Sequence, residues 1–519
     1  MDDARLAPSW IDALAVPADR IDRDPARRAL FAHDIFAAGQ TPAAVIAPAS
    51  VGEVQSVVAA AAAAGAPVTV RGGGASYTLG YAPARPGGVS LDLSGLNRIR
   101  AIDEASLTVT VEAGVTWAAL DAALGARGLR APFWGPYSGA VATIGGSLSQ
   151  HAISLGTAAH GVSADGVIAL EVVDGQGRLL QTNRPDGAYL RAWGPDLTGL
   201  FLGDCGTLGV KTAATLRVMR KPTHVAACSF AFADFHALAA AAHAVAGRGL
   251  ASEILGLDPE IQKGFLGDLT PRRFAATAKA IWATSPGPVD ALGALLRAAG
   301  GLSRMAQGQT WACHFTIDGW SAAEATAKVA AVRALCSPLG TETANAAPLA
   351  LRGAPFLPLF PVLTLAGERW LPTHGVFAAG AVGGFHAAFE AWRASIATDM
   401  KARGVRITRM IVPVGPTAVV YEPTFYWPDS RTPAQEALAP AEHLARAACL
   451  PANEETRAAV FAWRKALTGL MQAHGAQHFQ IGKWYPYASK LEPGAQGLLK
   501  CLKQALDPAG ILNPGALEL

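Results

Sequence analysis

The chain has 519 residues, too long for one small core, and two domains are the expectation from that length. Its 43 Lys and Arg stand against 40 Asp and Glu, a formal charge of +3 with no basic run, which argues against a nucleic-acid partner and a polybasic membrane patch. Apolar residues make up 51% of the chain, but Ala and Gly supply much of that, and no uninterrupted apolar stretch reaches the roughly 18 residues of a membrane span. The opening MDDARLAPSW is polar where a secretory signal would be apolar, so a cytoplasmic protein is expected.

In chain order, Val45 to Ala47 reads as a short strand, Ser50 as the cap of an Ala-rich helix from Val51 to Gly65, and Pro67 to Val70 as a second strand. Strands follow at Val89 to Leu93 and at Leu107 to Glu112, then a helix from Thr116 to Arg127. Two β-rich segments, Val167 to Asp174 and Val210 to Met219, precede Arg220-Lys221-Pro222, where we place a domain boundary. From 223 to about 455 the texture changes. Helices at Phe235 to Ala246, Ala322 to Leu335 and Gly384 to Arg403 alternate with strands such as Arg406 to Val412, the pattern of a helix-covered antiparallel sheet. From Glu454 onward two helices flank an aromatic-rich loop.

Six cysteines (Cys205, Cys228, Cys313, Cys336, Cys449 and Cys501) lie far apart with no C-x-x-C, so neither a zinc site nor a dithiol is expected; they read as buried, reduced thiols, and no metal is predicted. The glycine-rich stretches carry more information. Arg71-Gly72-Gly73-Gly74-Ala75-Ser76 follows a strand directly, and three glycines without Cβ atoms let the backbone turn tightly and present N–H groups to an anion such as a diphosphate. It is neither a P-loop nor a G-x-G-x-x-G. Gly139 to Ser147 and Gly203 to Val210 repeat the logic. One such loop is equally well a structural turn; three in one α/β domain, each beside a strand, argue for a large cofactor.

The motifs R-G-G-G-x-S, T-I-G-G, G-P-D-L-T-G-L-F-L-G-D-C-G-T-L-G-V and L-D-P-A-G-I-L-N-P-G occur in that order. Together they resemble the vanillyl-alcohol-oxidase/p-cresol-methylhydroxylase flavoprotein superfamily, and Gly194 to Val210 is most similar to its D-lactate dehydrogenase and glycolate oxidase branch. The resemblance covers roughly 41–220 and 475–519. It implies an α+β protein with a two-subdomain FAD-binding domain over 1–222, a substrate cap over 223–455, and a segment 456–519 returning to the first domain. It further implies that the FAD pyrophosphate lies on Arg71, Gly72, Gly73, Gly74, Ala75 and Ser76 and on Thr143, Gly145 and Gly146. Gly206, Gly209 and Val210 would approach the adenine or flavin edge, His160 would line the cofactor, and Asn513 would close the site. Some relatives link the flavin covalently through a His at the position of Ala75; Ala has no nucleophile, so non-covalent FAD is expected.

Hydride transfer needs a proton acceptor and close positioning. The loop His478-Phe479-Gln480-Ile481-Gly482-Lys483-Trp484-Tyr485-Pro486-Tyr487 offers His478 as first choice of base and Tyr485 as a donor to a substrate oxygen; a packing plug is the alternative. His374 and Tyr426 are the candidates from the cap. Arg369 and Lys483 are available to anchor a carboxylate, whereas Trp370, Tyr426 and Trp427 would serve an aromatic substrate or a plain domain core. Phe479 replaces the His of the lactate-type E-H-G-x-G, and Trp484-Tyr485 replaces the Tyr-Arg of phenol-oxidising relatives. The leading expectation is therefore an FAD-dependent dehydrogenase or oxidase acting on the CH–OH group of a 2-hydroxy acid or an aromatic alcohol. A transferase like the alkylglycerone-phosphate synthases and a non-catalytic flavoprotein are the alternatives. Oxygen and a carrier both stay open as electron acceptor, as does a homodimer.

Overall fold

The computed structural model describes residues 9–184, 187, 189–262, 310–356, 359 and 362–519, with isolated positions between 263 and 309. Helices begin where a side chain can accept from an otherwise unpaired N–H. Ser50, Thr116, Asp234 and Ser321 cap Val51–Ala64, Trp117–Gly125, Phe235–Ala246 and Ala322–Cys336.

Strands β1 (Ile21–Asp22), β2 (Ala44–Ile46), β3 (Val68–Arg71) and β4 (Val89–Asp92) form a sheet in the order β1-β2-β4-β3, with β2, β4 and β3 parallel. The helix Val51–Ala64 crosses from β2 to β3 and buries Val54, Val57, Val58 and Ala61 against Ile46, Val68 and Leu91. Leu512 extends this sheet by a parallel bridge to Val68, so the last turn of the chain completes the first subdomain.

The second subdomain is antiparallel. It comprises β5 (Ile99–Asp103), β6 (Thr108–Glu112), β8 (Val167–Val173), β9 (Leu179–Gln181) and β10 (Val210–Arg217) in the order β5-β6-β10-β8-β9. A two-stranded ribbon of β7 (Leu129–Arg130) and β11 (Met219–Arg220) borders it.

The remaining strands build one antiparallel sheet of eight among the described residues. These are β12 (His224–Phe232), β13 (Glu253–Leu257), β14 (Trp311–Gly319), β15 (Gly340–Thr343), β16 (Glu368–Pro372), β17 (Gly375–Ala378), β18 (Arg406–Val414) and β19 (Ala418–Pro428). The two-residue period of β19 sorts its side chains. Tyr421, Phe425 and Trp427 enter a core with Phe235, Phe385, Phe389, Val460 and Leu467 from the covering helices. Val420, Glu422, Thr424 and Tyr426 lie on the other face, toward the first domain: Val420 packs with Phe479 and Ile153, and Glu422 meets Tyr77. The whole is an α+β fold, and no helix of the described residues is long and apolar enough to cross a membrane.

Candidate active site and cofactor cradle

The stretch after β3 is built to expose N–H groups. Its carbonyls are drawn to one side: the Tyr81 hydroxyl lies 2.6 Å from Gly74 O and 2.8 Å from Ser76 O. The Arg71 guanidinium lies against Gly74, where a Cβ would meet it at 2.4 Å, and donates to Leu30 O and His33 O between the rings of Phe31 and Tyr81. The backbone N–H groups of residues 73–78 meet no acceptor among the described residues. Buried N–H groups are almost always paired, so a run of free ones is a cradle for an anionic group.

The neighbouring loops brace this cradle. A Cβ on Gly73 would sit 1.8 Å from Val141 O, and one on Gly72 would sit 2.3 Å from the Thr143 hydroxyl, so the two loops touch through the missing side chains. Here Thr143 caps its own helix by accepting from Gly146 N, while Ile144 N and Gly145 N donate to Val115 O and Ala113 O. At Gly203 to Val210 a single side chain organises the turn. Asp204 accepts from Gly206 N and Leu208 N and pairs with Lys211, both side chains almost wholly buried. Cys205 is held in the left-handed region at φ 53°; its sulfur accepts from Gly482 N and its carbonyl from Asn513 Nδ2. Asn513 also donates to Gly80 O, and Lys483 Nζ bridges Asn513 Oδ1 and Leu79 O.

Where the cap sheet meets this domain, two imidazoles lie together. His374 Nε2 faces Phe479 O, and His478 Nδ1 lies 2.8 Å from His374 O. A carbonyl only accepts, so each contacting nitrogen carries the proton, leaving His374 Nδ1 and His478 Nε2 as bare acceptors. Both bare nitrogens are buried and have no partner among the described residues. The ring centroids are 6.3 Å apart. Tyr485 holds them: its ring stacks on His478 at 4.0 Å, and its hydroxyl accepts from His374 N at 3.0 Å. Burial depresses both imidazoles, His478 to about 4 and His374 well below the ordinary histidine value, so both are neutral bases at physiological pH. Phe479 stacks on His374 at 3.8 Å and packs with Ile153.

Comparison with known proteins accords with this geometry. Residues 42–183 match the FAD binding domain family. They form an FAD binding domain. The glycolate oxidase subunit GlcD of Bacillus subtilis is 34% identical over 205 residues, 39% of this chain and 43% of that protein, so the chain spans less than half of that relative's length. Over its whole length the fold is that of p-cresol methylhydroxylase, with a TM-score of 0.70 at 17% identity, covering 97% of this chain and 95% of that one. An alkyldihydroxyacetonephosphate synthase shares it, with a TM-score of 0.70 at 18% identity, covering 99% of this chain and 86% of that one. At these identities the likeness concerns the fold alone.

The residues present fit FAD: the free N–H run suits its pyrophosphate, and Ser76, bonded to Gln480 Oε1, ties that run to the C-terminal loop. The N–H groups of Gly145 and Gly146 already donate, to Ala113 O and to the Thr143 hydroxyl, and this loop meets the cradle through Thr143 and Val141. Gly209 and Val210 belong to strand packing, since a Cβ on Gly209 would meet Val172 at 2.2 Å and Val210 is buried in the core of the first sheet. Only Gly206, at φ 74° with open space where a Cβ would stand, keeps room for a ligand within that turn. His160 lies near Arg130, Arg352 and Asp318 at the domain junction, and burial with those guanidiniums lowers it to about 4.

Tyr426 is remote from the imidazole pair: it lies under the Arg406 guanidinium, two positions beyond Thr424 on β19. Neither proposed carboxylate anchor is free. Arg369 donates to Ser430 O and lies 3.5 Å from Asp429, and Lys483 is engaged by Leu79 and Asn513. Trp427 and Tyr421 are core residues, and Cys449 and Cys501 are exposed, unlike the other four cysteines.

Four participants escaped the sequence reading. Asp34 is fully buried and accepts from Phe36 N, Ala37 N and Leu79 N, fixing the entry to the cradle; Asp-x-x-x-x-Gly turn chemistry was its only signal. Tyr77 and Glu422 meet across the domain junction, and Arg464 donates to Tyr77 O and Pro372 O between the rings of Phe36 and Trp484. The alternation of β19 marks Glu422; nothing local marks Arg464.

Gly73→Ala tests the cradle. Its backbone is not in the left-handed region, so the clash with Val141 O is the whole effect, expected to cost about 1–3 kcal/mol and to lower FAD occupancy at least tenfold. Gly52→Ala, in a helix with open space, is the control and should gain about 0.5–1 kcal/mol. Flavin content and denaturant midpoints of both variants decide it; full FAD occupancy in Gly73→Ala would refute the assignment.

Proposed function

We propose that this chain is an FAD-dependent oxidoreductase that oxidises the CH–OH group of a small organic substrate. The observation that carries the reading is the pair of neutral imidazoles with bare, buried nitrogens where the cap faces the FAD binding domain. FAD, when bound, supplies the hydride acceptor. The protein's part is to remove the hydroxyl proton, so that the substrate leaves as a carbonyl compound two electrons poorer. His478 Nε2 takes that proton; Tyr485 fixes the ring and His374 O fixes its tautomer. The aromatic walls of Phe479, Tyr77 and Trp370 exclude water and favour a flat substrate. The relative named as a glycolate oxidase subunit supports the hydroxy-acid alternative.

We also propose that residues 1–222 and 456–519 act as one flavin-holding unit under a cap of 223–455, and that FAD is held without a covalent bond, Ala75 offering no nucleophile. The test is anaerobic mixing of the FAD-loaded protein with a panel of alcohols and 2-hydroxy acids. Loss of the long-wavelength flavin band with one carbonyl product formed per flavin is the expected result. No bleaching across the panel would leave a flavoprotein without this activity, and colour retained in an acid-precipitated pellet would refute non-covalent binding.

A further inference from the structure

Two cations bracket the free N–H run of the cradle, and neither forms an ion pair among the described residues. Arg71 lies against Gly74 at one end. Lys483 stands at the other. Its backbone N–H donates to Thr78 O at 2.9 Å and its Nζ to Leu79 O at 3.1 Å, the two carbonyls where the run stops. The approach is close, since a Cβ on Gly482 would sit 2.2 Å from Thr78 O. Leu79, in the left-handed region at φ 59°, turns the chain there and gives its own N–H to Asp34. An ammonium has three donors. Leu79 O and Asn513 Oδ1, the latter at 2.6 Å, take two, and both are uncharged acceptors. The third donor and the charge itself have no partner among the described residues, although lysine is seldom buried unpaired. Burial lowers Lys483 to about 8, with Cys205 and Asp34 pulling the other way.

We propose that Lys483 is the counter-charge for the diphosphate of FAD, its third N–H and its positive charge serving that group and no residue of the chain. The free N–H run then supplies directed hydrogen bonds, and the cations at its two ends supply the charge that backbone dipoles lack. A buried cation without a counter-ion destabilises the fold until an anion meets it, so the same ammonium weakens the flavin-free chain and strengthens the loaded one. The inference rests on the cradle and on the FAD binding domain, and is independent of the oxidation assigned to the imidazole pair.

Lys483→Gln keeps an amide donor for Leu79 O and Asn513 and removes the charge. The dissociation constant of FAD, read from flavin fluorescence as the flavin-free full chain is titrated, should rise at least about tenfold. A second effect separates a counter-charge from a structural brace by its sign. Without FAD the denaturant midpoint of the variant should equal or exceed the parent's, and with equal excess FAD it should fall below it; loss of a brace lowers both. Should the variant fail to fold, the parent's own pH profile decides. The titratable groups facing Lys483 are Asp34 and Cys205, which burial raises to about 6 and about 12, so neither titrates between pH 7.5 and 9.5. The ammonium attracts the diphosphate and the free amine does not. FAD affinity of the parent should therefore fall at least about threefold over that range, and that of Lys483→Gln should stay level. An unchanged dissociation constant in the variant, a lower midpoint in its flavin-free form, or a flat profile in the parent overturns the proposal. A lowered flavin potential with unchanged FAD affinity would put the charge at the flavin ring and overturns it too. A substrate panel that never bleaches the flavin would refute the oxidation and leave this assignment standing, whereas unchanged FAD affinity would do the reverse.

Discussion

Replacing His478 with asparagine is expected to slow reduction of the bound flavin by about 10²- to 10⁴-fold, the range of a lost general base. Asparagine retains a donor near the position of Nδ1, so the bond to His374 O survives while the bare Nε2 is removed. Flavin content should not change, and the deficit should appear in the limiting rate of anaerobic reduction more than in the substrate dependence. Reduction at the parent rate would transfer the role to His374. Acid sensitivity offers a second readout. His478 titrates at about 4 when folded and near 6.5 when unfolded, so on acidification the unfolded chain takes the proton first and stability is lost as pH falls from 6.5 toward 4. From pH 7.5 to 5 the parent should therefore lose about 2 kcal/mol relative to the variant, other groups cancelling between the two.

A larger structural penalty is expected at Asp204. Asp204→Asn leaves the Lys211 ammonium buried without a counter-charge, and breaking a buried pair in this way costs about 3–5 kcal/mol. The asparagine amide also brings donors where the carboxylate accepted from Gly206 N and Leu208 N. Because this turn presents Cys205 to Gly482 and Asn513, docking of the C-terminal segment should loosen together with global stability. Asp204→Asn combined with Lys211→Met should recover much of the loss, since removing both charges lifts the desolvation cost; denaturant unfolding of the four proteins gives the coupling. Independent, additive effects of the two substitutions would show that the pair is not the source.

These residues show what a single sequence carries. Elements with local determinants were legible: Ser50 stands next to the N–H group it satisfies, and β6 encodes its two faces in the alternation of its own order. The cradle was legible for the same reason, three glycines in a row after a strand. Which N–H groups are free at 144–146 and 206–208 was not legible, because it depends on Ala113, Val115 and Asp204. The imidazole pair could be named but not joined, since His374 and His478 meet across 104 positions through backbone carbonyls that any residue supplies. Arg369 and Lys483 looked available for the converse reason: Ser430, Asp429 and Leu79 were assigned no role, and Asn513 was read as closing the cofactor site, not as holding Lys483.

The bridge from Val68 to Leu512 also sets an order of events during synthesis. The bond from Asn513 to Gly80 spans 433 positions, so the first parallel strands leave the ribosome long before their finishing segment exists. The β18–β19 pairing within the intervening cap is short-range and can form first, whereas the first parallel sheet lacks its Leu512 bridge until residues 511–513 are made. A chain truncated before residue 511 is therefore expected to purify without flavin.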